Sequence, residues 1–236
     1  MWSYFGAKTN IIDHYPGPRH DKIIEPFAGT ARYALKYFDR EVLLVDKYEV
    51  IVKIWKWLQQ CSIGDIVGLP NLKKGEEVKA LNLTDVEKMF LGMLAGVASV
   101  SPRNKVSYFA AEKNGRGNQL KLIASQLFKI RHWEIVHGDY RDIPNQLATW
   151  FIDAPYQFGG GAYVHNKIDF TQLASWAMER QGQAIVCENM KADWMNFKPM
   201  IKFRGAMSTT IEAIWCSHPT AFDNEQLNLF ESNQNQ

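Results

Sequence analysis

The sequence predicts an α/β protein whose core is a doubly wound parallel sheet. Short apolar runs typical of buried strands alternate with segments whose apolar residues recur at helical spacing. The run 41–46 is almost continuously apolar, a pattern typical of a strand that helices cover on both faces. A chain of 236 residues can bury a full core, either as one domain with an insertion or as two small domains.

The predicted elements follow this alternation from the N-terminus. Strands are expected at 23–25, 41–46, 133–136, 150–153 and 183–187, with a late strand at 209–216 that could be antiparallel. Helices are expected at 31–38, 48–60, 86–97 and 169–179. In the second helix, Ile51, Ile54, Trp55 and Leu58 share one face. This order favours a Rossmann-like sheet, in which ligands bind at the carboxyl ends of the strands.

The alternation breaks between residues 61 and 131, which we interpret as a small, mostly helical insertion. From Arg103 to Arg131, seven Lys and Arg residues stand against the single acid Glu112, a net charge of +6. Such a run is most often a solvated surface. It could also contact phosphates, with Tyr108 and Phe109 packing on bases. The predicted division is therefore a catalytic domain at 1–60 and 132–220, the insertion at 61–131, and a polar tail at 221–236.

Composition narrows the class of protein. The net charge of +2 neither requires nor excludes a polyanionic partner. The three cysteines lack the spacing of a zinc site and the six histidines are scattered, so we expect no metal. No apolar run is long enough to span a bilayer. These features predict a cytoplasmic enzyme or binding protein without a membrane partner.

Acidic residues occur where the first two strands end. Glu25 opens the loop Glu25-Pro-Phe-Ala-Gly-Thr30, and Asp46 follows Gly29 by 17 residues, close to the spacing at which an acid binds a ribose in nucleotide-binding sheets. The loop has one glycine, and Glu25 would repel a phosphate but attract a sulfonium or ammonium group. S-adenosylmethionine carries both a cation and a ribose. The alternative is that each acid only caps the following helix.

The stretch Trp150-Phe-Ile-Asp-Ala-Pro-Tyr156 predicts a buried strand that ends on a carboxylate. Methylating an exocyclic amino group requires acceptors for its hydrogens, because its lone pair is delocalised into the ring. Asp153 offers one acceptor, and the carbonyl of Ala154, held by Pro155, offers another. Tyr156 could stack on a base flipped out of the duplex. Alternatively, the segment is a simple turn with Tyr156 in the core.

Taken in order, these motifs resemble those of the Dam-like DNA adenine N6-methyltransferases. That family carries an aromatic-x-Gly-Gly-Lys motif, an E-P-F-x-G-x-G loop, an acid that ends the second strand, and D-P-P-Y. The corresponding segments are Tyr4-Phe-Gly-Ala-Lys8, Glu25-Pro-Phe-Ala-Gly-Thr-Ala31, Asp46 and Asp153-Ala-Pro-Tyr156. Ala7, Ala31 and Ala154 depart from the family pattern, and Ala154 loosens the turn and could reduce activity.

The resemblance implies a methyltransferase sheet with a target-recognition insertion that contacts double-stranded DNA. By similarity, the residues around S-adenosylmethionine would be Tyr4, Gly6, Lys8, Glu25, Phe27, Gly29, Asp46, Asp139, Tyr140 and Asp153. Asp153, Ala154, Pro155 and Tyr156 would hold the target adenine. In the insertion, the expected DNA contacts are Arg103, Lys105, Tyr108 and Arg116. The loop Gly159–Gly161, followed by Tyr163 and His165, could fold over the target.

Other functions are compatible with the same motifs. Cytosine N4 and RNA adenine present a similar amino group, and a catalytically silent DNA-binding or clamp-binding protein could retain the fold. In the tail, Gln226-Leu-Asn-Leu-Phe230 resembles the pentapeptide by which bacterial replication proteins dock on the sliding clamp. Leu227, Leu229 and Phe230 would fill an apolar pocket while Gln226 bonds at its rim. Otherwise these apolar residues pack back on the domain.

Overall fold

The computed structural model of the protein describes residues 2, 6, 8–96, 99–114, 118–204 and 209–219. Within these residues, seven strands form one sheet. Their bounds are Lys22–Glu25 (β1), Glu41–Asp46 (β2), Glu134–His137 (β3), Ala148–Ile152 (β4), Gly182–Asn189 (β5), Lys198–Arg204 (β6) and Thr209–Cys216 (β7). The order across the sheet is β3-β2-β1-β4-β5-β7-β6.

The sheet is mostly parallel, and its strand order reverses next to β1. β1 pairs in parallel with β2 on one side and with β4 on the other. Strands β3 and β5 continue the parallel arrangement, whereas β7 runs antiparallel to both β5 and β6. The fold is thus mixed α/β and compatible with a Rossmann-like sheet. A crevice for ligands is expected outside the carboxyl ends of β1 and β4, where the order reverses.

Seven α-helices lie among the remaining described residues. Their bounds are Arg32–Lys36 (α1), Glu49–Gln60 (α2), Ile63–Val67 (α3), Asp85–Leu94 (α4), Tyr108–Asn114 (α5), Asn118–Ala124 (α6) and Phe170–Met178 (α7). Short 3₁₀ helices lie at Ile12–His14, Val78–Ala80, Leu127–Ile130, Tyr140–Asp142 and Gly160–Ala162. α4 begins after a capping box, in which Thr84 and Glu87 each accept a backbone N–H of the other residue. None of the helices in the described part of the chain is long and apolar enough to cross a bilayer.

Apolar side chains pack on both faces of the sheet. Ile23 and Ile24 of β1 belong to two different core clusters, and Phe151 and Trp150 of β4 divide in the same way. Since neighbouring strand residues point to opposite faces, this division confirms that the continuous apolar runs are strands covered on both sides. The predicted face of α2 is confirmed, because Ile51, Ile54, Trp55 and Leu58 are all buried.

Helices α3 to α6 and two of the 3₁₀ helices lie within the segment 61–131. α4 packs against α2, and α3 packs against α6. Phe90 of α4 and Ile123 of α6 join the same core cluster as Trp55 of α2. The segment therefore shares its apolar core with the face of the sheet that α2 covers.

The predicted strands and helices match observed ones to within a few residues, but helices α3, α5 and α6 were not predicted individually and one strand was missed. The strand expected at 209–216 exists as β7 and is antiparallel, but β6 was not predicted. β6 contains Pro199, and the register of its pairing shifts between Pro199 and Ile201. A proline within a short run argues against a strand unless that strand lies at an edge, and β6 is the edge of this sheet.

Candidate active site

A cleft of about 430 Å³ lies at the carboxyl ends of β1, β2 and β4. This volume falls within the range of small-molecule sites. The three acids predicted from the strand ends, Glu25, Asp46 and Asp153, all line it. So do the other described residues expected around a cofactor: Gly6, Lys8, Phe27, Gly29, Asp139 and Tyr140. The topology therefore brings residues from distant parts of the sequence to one concave site.

Glu25 is a buried carboxyl group at the start of the loop after β1. Its side chain accepts the backbone N–H of Ala34 at 2.7 Å, so it also fixes the first turn of α1. Only 2% of Glu25 is exposed. Burial raises the pKa of Glu25 to about 8; the N–H of Ala34 opposes part of this rise, and the neighbouring Asp153 adds to it. Glu25 is therefore mostly protonated at neutral pH.

Asp46 ties the end of β2 to the loop after β1. One of its oxygens accepts the N–H of Gly29 at 2.9 Å, and the other accepts the N–H of Tyr48 at 2.8 Å. Gly29 has a φ of 45°, in the left-handed region that favours glycine. Each carboxylate oxygen keeps a second lone pair, so Asp46 can still accept hydrogen bonds from a ligand. Burial raises the pKa of Asp46, and the two backbone N–H groups offset part of this rise.

Ala31 occupies the position where the family motif has its last glycine. Its φ is 46° and its ψ is 50°, so it too adopts the left-handed conformation. An L-residue is strained in this conformation by about 1–2 kcal/mol. The departure from glycine is therefore tolerated at the cost of local strain, and the loop keeps the backbone course that a glycine would favour.

Two aromatic rings form one wall of the cleft. The rings of Phe27 and Tyr140 lie 5.3 Å apart, and the Tyr140 hydroxyl donates to Gln172 at 3.1 Å. Beside them, Asp139 accepts two hydrogen bonds from the guanidinium of Arg141, at 2.7 and 2.9 Å, and one from its backbone N–H at 3.1 Å, and it pairs with Lys47 at 2.9 Å. The hydrogen bonds from Arg141, assisted by Lys47, hold the pKa of Asp139 well below its usual range. Asp139 therefore remains ionised.

Asp153 follows β4 directly and is paired with a buried lysine. Lys8 Nζ lies 2.8 Å from Asp153 Oδ1 and 3.5 Å from Glu212 Oε1. Burial alone would lower the pKa of Lys8, but the two carboxylates outweigh it and raise the pKa. Burial also raises the pKa of Asp153, and Lys8 offsets part of that rise. Lys8 therefore remains protonated and positively charged in the site.

The remaining residues of the Asp-Ala-Pro-Tyr turn divide between the cleft and the protein interior. Pro155 lines the cleft, and Ala154 is buried. Tyr156 is half-buried outside the cleft lining and donates its hydroxyl hydrogen to Glu212. Lys8 Nζ lies 4.6 Å from the centre of the Tyr156 ring. One face of this ring is therefore covered by the lysine.

Glu212 belongs to the site but was not predicted from the sequence. It lies on β7, is 2% exposed, and also accepts the hydroxyl of Tyr15. A single glutamate in the apolar run Thr209–Cys216, next to the buried Ala213, was the available signal. A buried carboxylate requires hydrogen bonds or a cation, and here it has both.

The loop after the turn lies along the cleft. The N–H of Gly160 donates to the carbonyl of Tyr156 at 3.1 Å, which folds the loop back over the turn. Tyr163 and His165 line the cleft. A Cβ placed on Gly6 would lie 2.2 Å from the Tyr163 hydroxyl oxygen. A side chain at residue 6 would therefore require the Tyr163 hydroxyl to move.

The residues expected to contact DNA lie elsewhere. Arg103, Lys105 and Tyr108 are exposed, and none of them lines the cleft. Tyr4, Arg116, Gln226, Leu227, Leu229 and Phe230 lie outside the described residues. Among the residues with described positions, no group of three or more His, Cys, Asp or Glu side chains could hold a metal ion.

Comparison with known proteins adds no family assignment. No protein-family model matches the chain, and no curated protein matches it.

Proposed function

We propose that the protein transfers a methyl group from S-adenosylmethionine to adenine N6 in DNA, with the target base flipped out of the duplex. One observation carries the proposal: the carboxyl groups of Glu25, Asp46 and Asp153 line a single cleft at the switch point of the sheet. A cleft that combines acidic groups with an aromatic wall suits a cationic nucleoside better than it suits a phosphate.

The side chains in the cofactor half of the cleft offer a partner for the ribose, the adenine and the sulfonium of S-adenosylmethionine. Asp46 has free lone pairs for ribose hydroxyls, and the Phe27–Tyr140 wall suits an adenine ring. Glu25 is positioned to receive positive charge, since an adjacent cation favours its ionised form. When bound, the cofactor supplies a methyl group made electrophilic by its sulfonium.

The acceptor half is the turn after β4. The Asp153 carboxylate can accept one hydrogen of the target amino group, and the Ala154 carbonyl can accept the other. Both bonds favour the pyramidal nitrogen that attacks the methyl carbon. The nitrogen releases one proton as it gains the methyl group. Burial raises the pKa of Asp153, which makes this carboxylate a better acceptor for that proton than an exposed aspartate would be.

The exposed basic segment is the proposed DNA contact. Arg103 and Lys105 are exposed, and Tyr108 and Phe109 expose 51% and 69% of their surfaces. Cations that neutralise phosphates, together with exposed aromatic rings that can stack on bases, are the usual elements of nucleic-acid binding. Docking of residues 226–230 on a sliding clamp stays a separate prediction, tested by clamp binding of the wild type and of the variants Leu229→Ala and Phe230→Ala.

The direct test is transfer of a tritiated methyl group to unmethylated DNA. We expect incorporation by the wild type, almost none by Asp153→Ala, and wild-type levels by the control Asp39→Ala, which removes an exposed aspartate. Nucleoside analysis should then find N6-methyladenine. Finding N4-methylcytosine, or methyl transfer to RNA alone, would show that the substrate is cytosine or RNA and not adenine in DNA. DNA binding without any incorporation would leave a silent binding protein and defeat the proposed reaction.

A further inference from the structure

Lys8 contacts both the Asp153 carboxylate and the Tyr156 ring, the two groups that a target base would need. Its ammonium group pairs with Asp153 at 2.8 Å and lies 4.6 Å from the centre of the Tyr156 ring. A target amino group would compete for the same carboxylate, and a stacked base would compete for the same ring face. With Lys8 in this place, the acceptor half of the cleft is closed to a base.

Glu212 offers Lys8 a second partner within the same buried cluster. The ammonium nitrogen is already 3.5 Å from Glu212 Oε1, so a displacement of less than 1 Å would bring the two charges into a closer ion pair. The same oxygen accepts the hydroxyls of Tyr15 and Tyr156. Glu212 is therefore anchored from two sides.

The charge balance of the cluster requires such a partner. Lys8 is 5% exposed and Glu212 is 2% exposed. A buried ammonium group that left Asp153 without another carboxylate would be an unpaired buried charge, which is strongly unfavourable. With Glu212 present, Lys8 can release Asp153 while it stays paired.

We propose that Glu212 is a positioning residue for the acceptor half of the site: it holds Tyr156 by its hydroxyl and receives the Lys8 ammonium when a target amino group binds Asp153. This inference rests on the proposed methyl transfer. Lys8 thus serves as a movable counterion that keeps Asp153 ionised before the base binds and moves away from it when the base arrives. Glu212 acts through Lys8 and Tyr156 and does not touch the substrate.

Steady-state kinetics of Glu212→Gln tests the role. Glutamine keeps the shape and an oxygen acceptor for the two tyrosines but loses the charge that attracts Lys8. We expect kcat to fall roughly 10- to 100-fold, because Asp153 stays occupied. Affinity for S-adenosylmethionine, measured by calorimetry, should stay within about twofold of the wild type, since Glu212 is not part of the cofactor half. A wild-type kcat would overturn the inference, and so would an equal loss of cofactor affinity.

A double-mutant cycle distinguishes positioning from simple destabilisation. In a Lys8→Met background there is no ammonium group to redirect, so Glu212→Gln should cost less than about twofold in kcat. Equal losses in both backgrounds would contradict the role of Lys8. Melting temperatures measured for all four proteins would show whether any loss follows stability instead.

The ammonium signal of Lys8 in a spectrum of ¹⁵N-lysine-labelled protein provides a readout that does not need activity. Glu212→Gln should shift this signal, because it removes one of the two carboxylates that the ammonium contacts. If the wild type transfers no methyl group, the proposed function fails and this spectrum alone decides the role of Glu212. A shifted signal then supports the holding of Lys8 by Glu212, and an unshifted one overturns it.

Discussion

Burial changes the protonation of Glu25 at neutral pH. Its ordinary pKa of 4.5 rises to about 8 in the folded protein, mainly because the carboxyl group is removed from water. The folded protein therefore holds a proton that the unfolded chain has already lost between these two values. Glu25 therefore makes the free energy of unfolding fall as pH rises from about 4.5 to about 8.

A cationic ligand should reverse this protonation. We expect binding of S-adenosylmethionine at about pH 6 to release close to one proton, and binding above about pH 9 to release almost none. Titration calorimetry in buffers of different ionisation enthalpy measures this number directly. Glu25→Gln should abolish the release and weaken binding. Proton release that is equal at both pH values, or unchanged in the variant, would show that Glu25 does not face the cation.

Single residues also mark what the sequence could and could not predict. Glu25, Asp46 and Asp153 were predictable as one site, because each ends a parallel strand and such ends meet at one edge of a sheet. The Lys8–Glu212 pair was not. Lys8 precedes the first strand, and the position of Glu212 depends on the pairing of β7 with β5, which no local pattern determines.

At the scale of elements, the loop after β4 supports the turn that it follows. A Cβ placed on Gly160 would lie 2.9 Å from the backbone carbonyl carbon of Pro155. Gly160→Ala should therefore displace the turn, with a cost of about 1–3 kcal/mol in the free energy of unfolding and at least roughly a tenfold fall in methyl transfer. Chemical denaturation and the tritium assay measure the two effects.

Gly161→Ala is the matched control for this prediction. A Cβ at Gly161 would have no heavy atom within 4 Å, and the residue is exposed. The control should retain wild-type stability and activity. Equal losses of methyl transfer in both variants would indicate that activity depends on the flexibility of the loop and not on the contact between Gly160 and Pro155.

Elements with strong periodicity were predicted well, and those decided by tertiary pairing were not. The spacing of the apolar residues predicts the buried face of α2 and the burial of β2 on both sides. β6 is an edge strand interrupted by Pro199, so its sequence carries neither a clean alternation nor a continuous apolar run. β6 forms because it pairs with β7, and its own sequence does not predict this pairing.

At the scale of the whole molecule, charge is unevenly distributed. A chain of net charge +2 carries +6 between residues 103 and 131. If this segment contacts DNA phosphates, Lys105→Ala should weaken binding most at low salt and reduce the slope of log affinity against log salt by about 1. Fluorescence anisotropy with a labelled duplex measures that slope.

Lys53 provides the control for this experiment. It is an exposed lysine of α2, outside the basic segment, and pairs with Glu49 at 3.0 Å. Lys53→Ala removes the same charge from the whole molecule and should leave the slope unchanged. Equal effects of both substitutions would indicate that only net charge matters and that the segment is a solvated surface.

In the proposed reaction, one cleft brings a cationic methyl donor and a nucleobase together at Asp153. A crystal structure of the protein with bound S-adenosylmethionine tests this arrangement most directly. We expect the ribose at Asp46, the sulfonium on the side of Glu25, and the methyl group pointing toward Asp153, close enough for one amino nitrogen to touch both. A ligand bound outside this cleft, or one with its methyl group directed away from Asp153, would contradict it.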